Sequence, residues 1–174
     1  MNEETLKHTP VLLDEVINAI NPQSGKLYFD ATFGWGGYSE KLLDTCACKV
    51  IAIDQDPSVK SKASEFKKKY GDRFNFIESK FSEITTVLKK IGINKVDGFM
   101  FDIGVSSMQL DTSDRGFSFN KEGPLDMRMS SSGKTAAELI SSIQEETLAD
   151  IIYNYGDERK SRKIAKFIIE QRSI

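Results

Sequence analysis

The chain has 174 residues, of which 39% are hydrophobic and 29% charged, and its formal net charge is −2. This size and composition predict one globular domain, or one domain with a small appendage. The sequence contains no apolar run of the roughly 18 residues that a membrane-spanning helix needs, and it begins with neither a secretory signal nor an Arg-rich transit peptide. We therefore expect a cytoplasmic protein with no membrane partner, and the charge does not indicate a chain built mainly to bind nucleic acid.

Potential metal ligands are scarce. The chain has two cysteines, Cys46 and Cys48, and a single histidine, His8. These residues are too few for a structural zinc site. We expect two reduced thiols, no bound metal, and a local structural role for His8.

The first hundred residues alternate between helical and strand patterns. Helices are predicted over 11–20, 38–43, 58–70 and 84–91, and strands over 27–31, 50–54, 74–77 and 96–103. The second strand is apolar on both faces, as buried parallel strands are. This alternation predicts an α/β fold with a parallel, doubly wound sheet.

The pattern changes after Gly104. Residues 105–132 are rich in Ser, Asp, Gly and Met and lack periodicity, which predicts a long ordered loop of the kind that usually carries function. Three further helices are predicted over 135–142, 145–155 and 157–172. We therefore expect a core domain over 1–106 and a loop-plus-helix part over 107–174.

A glycine turn follows the first predicted strand, over residues 30–37. A strand that ends in Asp30 and opens a helix through Gly34, Gly36 and Gly37 lets the backbone approach a nucleotide closely. Asp54 lies twenty positions after Gly34, at the end of the second strand, where an acid hydrogen-bonds ribose hydroxyls. These residues together predict a nucleotide-containing cofactor.

Asp30 distinguishes between two such cofactors. An anion at the turn would repel the pyrophosphate of NAD, whereas it suits the ammonium and sulfonium groups of S-adenosylmethionine. Ser39 also replaces the third glycine of the dinucleotide fingerprint. S-adenosylmethionine is therefore the predicted cofactor, and a tight turn that binds nothing is the alternative.

Asp102 ends the fourth predicted strand, at the sheet edge where open α/β folds bind ligands. It is the candidate catalytic residue, because it is placed either to hold the methionine end of the cofactor or to position an incoming amino group. Capping of the next segment is the structural alternative.

The loop after this strand combines cationic, acidic and aromatic side chains. The candidate substrate contacts are Arg115, Phe117, Phe119, Asp126 and Arg128. Such side chains stack on a base and pair with phosphates in RNA-modifying enzymes, although a plain packed loop has the same composition. The basic residues of the last predicted helix, including Lys163 and Arg172, are a second candidate RNA surface.

The sequence resembles one family over essentially its whole length, in colinear order. The matching stretches include residues 8–15, 30–39 and 52–57, and the run 102–129 is highly specific. The family is that of the bacterial methyltransferases that modify the N4 amino group of a cytidine in 16S rRNA.

The resemblance implies a class I, Rossmann-like methyltransferase sheet with a helical substrate domain inserted after the fourth strand. Its target would be a cytidine in the decoding region of 16S rRNA within the small ribosomal subunit. The cofactor contacts of the family would fall on Gly36, Gly37, Tyr38, Asp54, Phe81, Asp102 and Gln109.

Two departures from the family follow. The family usually has His at the position of Tyr38 and a basic residue at that of Trp35. Its members also continue well past Arg172, so we expect a truncated sheet whose open edge permits self-association. The expected activity is cytidine N4 methylation. The alternatives are a non-catalytic fragment that binds cofactor or RNA, and an enzyme of this fold that methylates another RNA or a protein amino group.

Overall fold

The computed structural model describes residues 10–172, so the prediction for His8 lies outside the described residues. The chain divides into two compact units, the first ending at Ser107 and the second beginning at Met108. Within residues 10–172, every helix is too short or too polar to cross a bilayer.

The first unit is built on a four-stranded parallel sheet. The strands are β1 (Leu27–Asp30), β2 (Lys49–Asp54), β3 (Phe74–Glu78) and β4 (Gly98–Met100), in the order β3-β2-β1-β4. The helices are α1 (Leu13–Ile20), α2 (Gly37–Thr45), α3 (Lys60–Tyr70) and α4 (Ile84–Lys90). The predicted α/β class with a Rossmann-like parallel sheet is confirmed.

Apolar clusters cover both faces of this sheet, because successive strand residues point to opposite sides. On one face, Phe33 packs edge-to-face on Phe66 of α3, with ring centroids 5.1 Å apart, and α1 and α2 contribute Ile17 and Leu42. On the other face, the buried residues are Phe29, Ala31, Ile51, Ile53 and Val87. The core therefore holds β1 in the middle of the sheet, directly before the glycine turn.

The fourth strand is shorter than the predicted span 96–103. Its pairing with β1 ends at the Asp30–Met100 partners, and the Ala31 N–H then donates to the Met100 carbonyl at 2.9 Å. Beyond this point β1 has turned away, so residues 101–103 have no ladder partner there, and Ile103 is 74% exposed. The strand prediction was wrong at both ends. At the carboxyl end the apolar residues have no neighbouring strand; at the amino end the Asp97 N–H still donates to the Leu27 carbonyl at 2.7 Å, and the regular pairing begins at Gly98.

Among the strands of residues 10–172, β4 pairs with β1 alone. The ring of Phe99, on this edge strand, is 45% exposed. Self-association through the open edge stays a prediction.

The second unit contains most of the loop and three helices. The loop is not wholly irregular: the short helix α5 (Ser107–Asp111) and a single 3-10 turn at Ser113–Arg115 interrupt it. The helices that follow are α6 (Ala136–Ser142), α7 (Glu145–Gly156) and α8 (Ser161–Gln171). Their core consists of Ile143, Leu148, Ala149 and Ala165.

Two local features fix the helices of the second unit. Thr135 caps α6: its hydroxyl accepts the Glu138 N–H at 3.1 Å, and the Glu138 carboxylate accepts the Thr135 N–H at 2.8 Å. Arg172, at the end of α8, donates to the carbonyls of Ile140 and Ile143, each at 2.8 Å. Its guanidinium therefore satisfies carbonyls near the end of α6, which accounts for Arg172 without an RNA contact.

Candidate functional site at the glycine turn

The glycine turn joins β1 to α2 at the centre of the carboxyl edge of the sheet, because β1 lies between β2 and β4. The Phe33 N–H donates to the carbonyl of Ile53 at 2.9 Å, which ties the turn to β2. Asp54 ends β2, and Asp102 follows β4 by two residues. Three acidic residues predicted for the site therefore lie at one sheet edge.

Asp30 lies beneath the turn and is completely buried. One carboxylate oxygen accepts the Ser39 hydroxyl at 2.6 Å, and the other accepts the Thr32 N–H at 3.2 Å. Burial raises the pKa of Asp30 to about 6, against the lowering effect of these hydrogen bonds, and the charges of Asp54 and Asp102 raise it further. Asp30 therefore organises the turn from below through the Thr32 N–H and the Ser39 hydroxyl.

Ser39 has a role that its place in the glycine pattern did not reveal. Its side chain is fully buried, and its hydroxyl holds Asp30 from the first turn of α2. The signal for this role in the sequence was a serine at the third glycine position of the dinucleotide fingerprint. Serine supplies a side-chain hydroxyl donor there, and glycine supplies none.

Asp54 is half-buried and fixes the other side of the turn. Its two carboxylate oxygens accept the N–H groups of Gly34 and Asp56, each at 2.8 Å. Burial raises the pKa of Asp54, and the hydrogen bonds from Asp56 and Gly34 oppose that shift. Each carboxylate oxygen has a second lone pair, so Asp54 can also accept hydroxyl groups from a ligand.

The glycines of the turn serve different purposes. Gly36 has φ +79°, and a Cβ there would lie 2.5 Å from the Phe66 ring; at Gly37 a Cβ would lie 2.2 Å from Cγ of Pro10. Protein packing therefore accounts for these two glycines. A Cβ on Gly34 would meet open space, so the backbone is accessible at Gly34.

Tyr38 lies close to Asp102. Its side chain is buried, and its hydroxyl donates to the carbonyl of Val11. Burial raises the pKa of Tyr38, as do the negative charges of Asp102 and Asp30. Asp102 itself is exposed, and its N–H donates to the hydroxyl of Thr32 at 2.8 Å.

Phe81, the remaining predicted contact in the first unit, is 42% exposed. Its ring lies edge-on to Phe101, with centroids 6.4 Å apart, and Phe101 stacks on Phe99 at 6.2 Å. Sequence reasoning named Phe81 but not the two aromatic residues beside it. Together these three half-exposed rings form an apolar row.

The predicted substrate residues lie in the second unit, where two arginines hold the loop together. Arg115 donates to the carbonyls of Arg128 and Met129 at 2.8 and 3.0 Å. The guanidinium of Arg128 pairs with both carboxylate oxygens of Asp126, with a shortest distance of 2.6 Å. This pairing lowers the pKa of Asp126 to about 2. All three charged groups therefore have partners within the loop.

The other candidates of the second unit differ in exposure. Gln109 is buried in α5, Phe117 is half-buried, and Phe119 is fully exposed. Phe119 is therefore the candidate with the most ring surface available for stacking. The contacts predicted for these residues with cofactor or substrate stay predictions.

Comparisons with a family model and with curated proteins both find methyltransferases. The sequence matches the MraW methylase family over residues 5–174. It is 52% identical over 166 residues to ribosomal RNA small subunit methyltransferase H of Maricaulis maris, covering 95% of this chain and 50% of that protein. It is 51% identical over 165 residues to the protein of the same name in Rickettsia massiliae, covering 95% and 53%.

The chain spans about half the length of the curated relatives that it matches. Among solved structures, a crystal structure of MccD protein covers 94% of this chain and is itself covered to 92%, with a TM-score of 0.40 and 13% identity. That likeness is too slight to add to the fold assignment.

Proposed function

The chain belongs to the MraW methylase family, and on that premise we propose that it forms the cofactor-binding part of an enzyme that transfers a methyl group from S-adenosylmethionine to N4 of a cytidine in 16S rRNA. The observation that carries the proposal is the acidic carboxyl edge of the sheet, with Asp30, Asp54 and Asp102 around one glycine turn. The relatives' names, which specify small-subunit ribosomal RNA, support the choice of substrate.

The residues of the turn fit the proposed cofactor. The Asp54 carboxylate would accept a ribose hydroxyl with a remaining lone pair, and the open space at Gly34 leaves room for a ligand against the backbone. The negative charges of Asp30 and Asp102 favour an ammonium and a sulfonium over a pyrophosphate. Tyr38 and Phe81 complete the proposed contacts of the first unit, and Gly36 and Gly37 let the turn pack closely enough to present them. The bound cofactor would supply a methyl group on a positively charged sulfur.

Asp102 has the central role in the proposed reaction. The lone pair of a cytosine amino group is delocalised into the ring, so this nitrogen is a poor nucleophile. A carboxylate that accepts a hydrogen bond from the amino group orients its nitrogen toward the methyl group, and such positioning supplies much of the rate enhancement. We assign that orienting role to Asp102, which is exposed at the sheet edge.

The second unit would supply the RNA contacts. A base within folded RNA must leave its stack before an enzyme can modify it, and aromatic rings then stack on it. Phe119 and Phe117 are the proposed stacking residues, and the loop bearing Arg115, Asp126 and Arg128 would present them. The proposed partner is the small ribosomal subunit in the cytoplasm.

Transfer of a radiolabelled methyl group to purified small subunits tests this function. The assay compares this chain with a version extended to the length of its relatives. We expect N4-methylcytidine in 16S rRNA with the extended protein. If only the extended protein is active, this chain is its cofactor-binding part. Label in another RNA or in a protein would replace the proposed substrate, and no transfer by either protein would contradict the proposal.

The cofactor assignment predicts the effect of a single substitution. Asp54→Ala should weaken S-adenosylmethionine binding by about 1–3 kcal/mol, the usual scale for a hydrogen bond to a charged group. Isothermal titration calorimetry measures the change. Asp72→Ala is the matched control, because it removes the same charge from an exposed side chain whose described partner is Lys67. Equal affinities of Asp54→Ala and the unmodified chain would refute the role of Asp54.

A further inference from the structure

The segment that carries Asp102 leaves the sheet before it reaches that residue. The ladder between β1 and β4 ends at Met100, and residues 101–105 are all exposed. At this point the Asp102 N–H donates to the side-chain oxygen of Thr32, 70 residues earlier in the chain, at 2.8 Å. A hydroxyl group thus takes the place of the carbonyl that a longer ladder would have offered.

Thr32 is itself held firmly. Its own N–H donates to Asp30 at 3.2 Å, and Asp30 accepts the hydroxyl of Ser39 at 2.6 Å. Asp30 and Ser39 are both fully buried. A hydrogen-bonded chain therefore runs from α2 through Ser39, Asp30 and Thr32 to the exposed Asp102.

We propose that Thr32 is a positioning residue, whose hydroxyl fixes the Asp102 peptide and thereby aims the Asp102 carboxylate at the amino group to be methylated. This inference rests on the proposed function, which gives Asp102 its role. Thr32 acts through Asp102 and is not assigned a contact with the substrate. The exposed segment has no sheet partner at this residue, so the Thr32 hydroxyl is the described acceptor of the Asp102 N–H. The Asp102 side chain also lies close to Tyr38, and its backbone is expected to move more when the hydroxyl is removed.

Two substitutions isolate the hydroxyl group. Thr32→Val keeps the branched shape but removes the oxygen, leaving the Asp102 N–H without this acceptor. Thr32→Ser loses only a methyl group and keeps the acceptor. The hydrogen bond to Asp30 comes from the backbone of residue 32, so both variants can retain it.

The first readout is hydrogen exchange at the Asp102 amide, measured by NMR on this chain. We expect exchange to be about tenfold faster in Thr32→Val, the equivalent of about 1.4 kcal/mol, and near the original rate in Thr32→Ser. The Ile53 amide, within β2, should be unchanged in both. This readout tests the hold on Asp102 whether or not the chain transfers methyl groups.

The second readout is the kinetics of methyl transfer in the extended protein. Thr32→Val should lower kcat at least tenfold while KM for S-adenosylmethionine changes less than threefold, and Thr32→Ser should restore kcat. Unchanged Asp102 exchange in Thr32→Val would overturn the inference, as would Thr32→Ser behaving like Thr32→Val. Both of these outcomes differ from a failure of the proposed function. In that case the unmodified extended protein would itself transfer no methyl group.

Discussion

Replacing Asp30 with asparagine is expected to stabilise the chain above pH 7 and, at the same time, to weaken its binding of S-adenosylmethionine. The carboxylate is completely buried, and its pKa is raised from 3.8 to about 6 by that burial. Asparagine has nearly the same shape, can accept the Thr32 N–H, and can donate to the Ser39 hydroxyl. The substitution therefore removes a buried charge and can keep a hydrogen bond to each partner, although the Ser39 hydroxyl loses the acceptor that it has in Asp30.

The sign of the pH dependence follows from the raised pKa of Asp30. The folded state holds this proton more tightly than the unfolded chain does, so the stability that the protonated group contributes is complete below about pH 4. It is lost as the pH rises through about 6. The loss amounts to about 3 kcal/mol at pH 8, because the pKa of Asp30 rises from 3.8 to about 6 on folding. The amide of the Asp30→Asn variant does not ionise, so that variant escapes this loss.

Urea unfolding at pH 8 and pH 5 measures the effect. Relative to the unmodified chain, Asp30→Asn should gain stability as the pH rises from 5 to 8, because it escapes an ionisation that costs about 3 kcal/mol at pH 8. Asp97→Asn is the control, because Asp97 accepts the Leu27 N–H at 3.0 Å and pairs with Lys26 at 3.1 Å, which lower its pKa. That variant should gain no stability. A similar gain in both variants would show that the effect does not come from burial.

A loss of affinity for S-adenosylmethionine in Asp30→Asn would assign the buried charge of Asp30 a role in cofactor binding. Natural proteins keep destabilising groups at functional sites when activity requires them. If Asp30 favours a cationic cofactor, Asp30→Asn should bind S-adenosylmethionine more weakly although it folds more stably. A variant that is more stable and binds equally well would leave Asp30 without a role in cofactor choice.

Alanine substitutions at Gly36 and Gly34 are expected to lower the free energy of unfolding, and this is the second large expected effect. Both glycines have positive φ, +79° and +50°, so each substitution places a side chain in a left-handed conformation that costs about 1–2 kcal/mol. At Gly36 the added Cβ also lies 2.5 Å from the Phe66 ring and 2.7 Å from the Phe33 ring. Overpacking of this kind adds about 1–3 kcal/mol.

Urea unfolding of the two variants separates backbone strain from overpacking. Gly34→Ala should lose about 1–2 kcal/mol, because nothing lies within 4 Å of its Cβ. Gly36→Ala should lose about 1–3 kcal/mol more and should alter the near-ultraviolet circular dichroism of the aromatic cluster. Equal losses would mean that the turn moves away from Phe33 and Phe66 at little cost, and that packing does not explain Gly36.

The sequence was most informative where local chemistry decides structure. Alternating apolar segments predicted the first three strands of the parallel sheet to within one residue at either end, because buried parallel strands have a distinctive composition. The fourth strand was predicted too long, since its extent depends on where β1 ends. The five-residue helix α5 was missed because it is shorter than the periodicity of a helix can reveal.

For the candidate site as well, the sequence identified some residues and missed others. Asp30 was identifiable because it ends the strand before the glycine pattern, and Asp54 because it ends the next strand, twenty positions after Gly34. Thr32 and Ser39 were not recognised as a hydrogen-bonded link, because their partners are defined by the approach of β4 and by burial. The pairing of Arg128 with Asp126 within the loop was likewise not predictable from composition, which gives charges but not their partners.

The most direct test of the central claim is a calorimetric titration of this chain, at pH 8, with S-adenosylmethionine and separately with NAD. We expect saturable binding of S-adenosylmethionine at one site, weakened by Asp54→Ala and not by Asp72→Ala, with no measurable binding of NAD. Binding of NAD with equal or higher affinity, or no binding of S-adenosylmethionine by the folded chain, would contradict it.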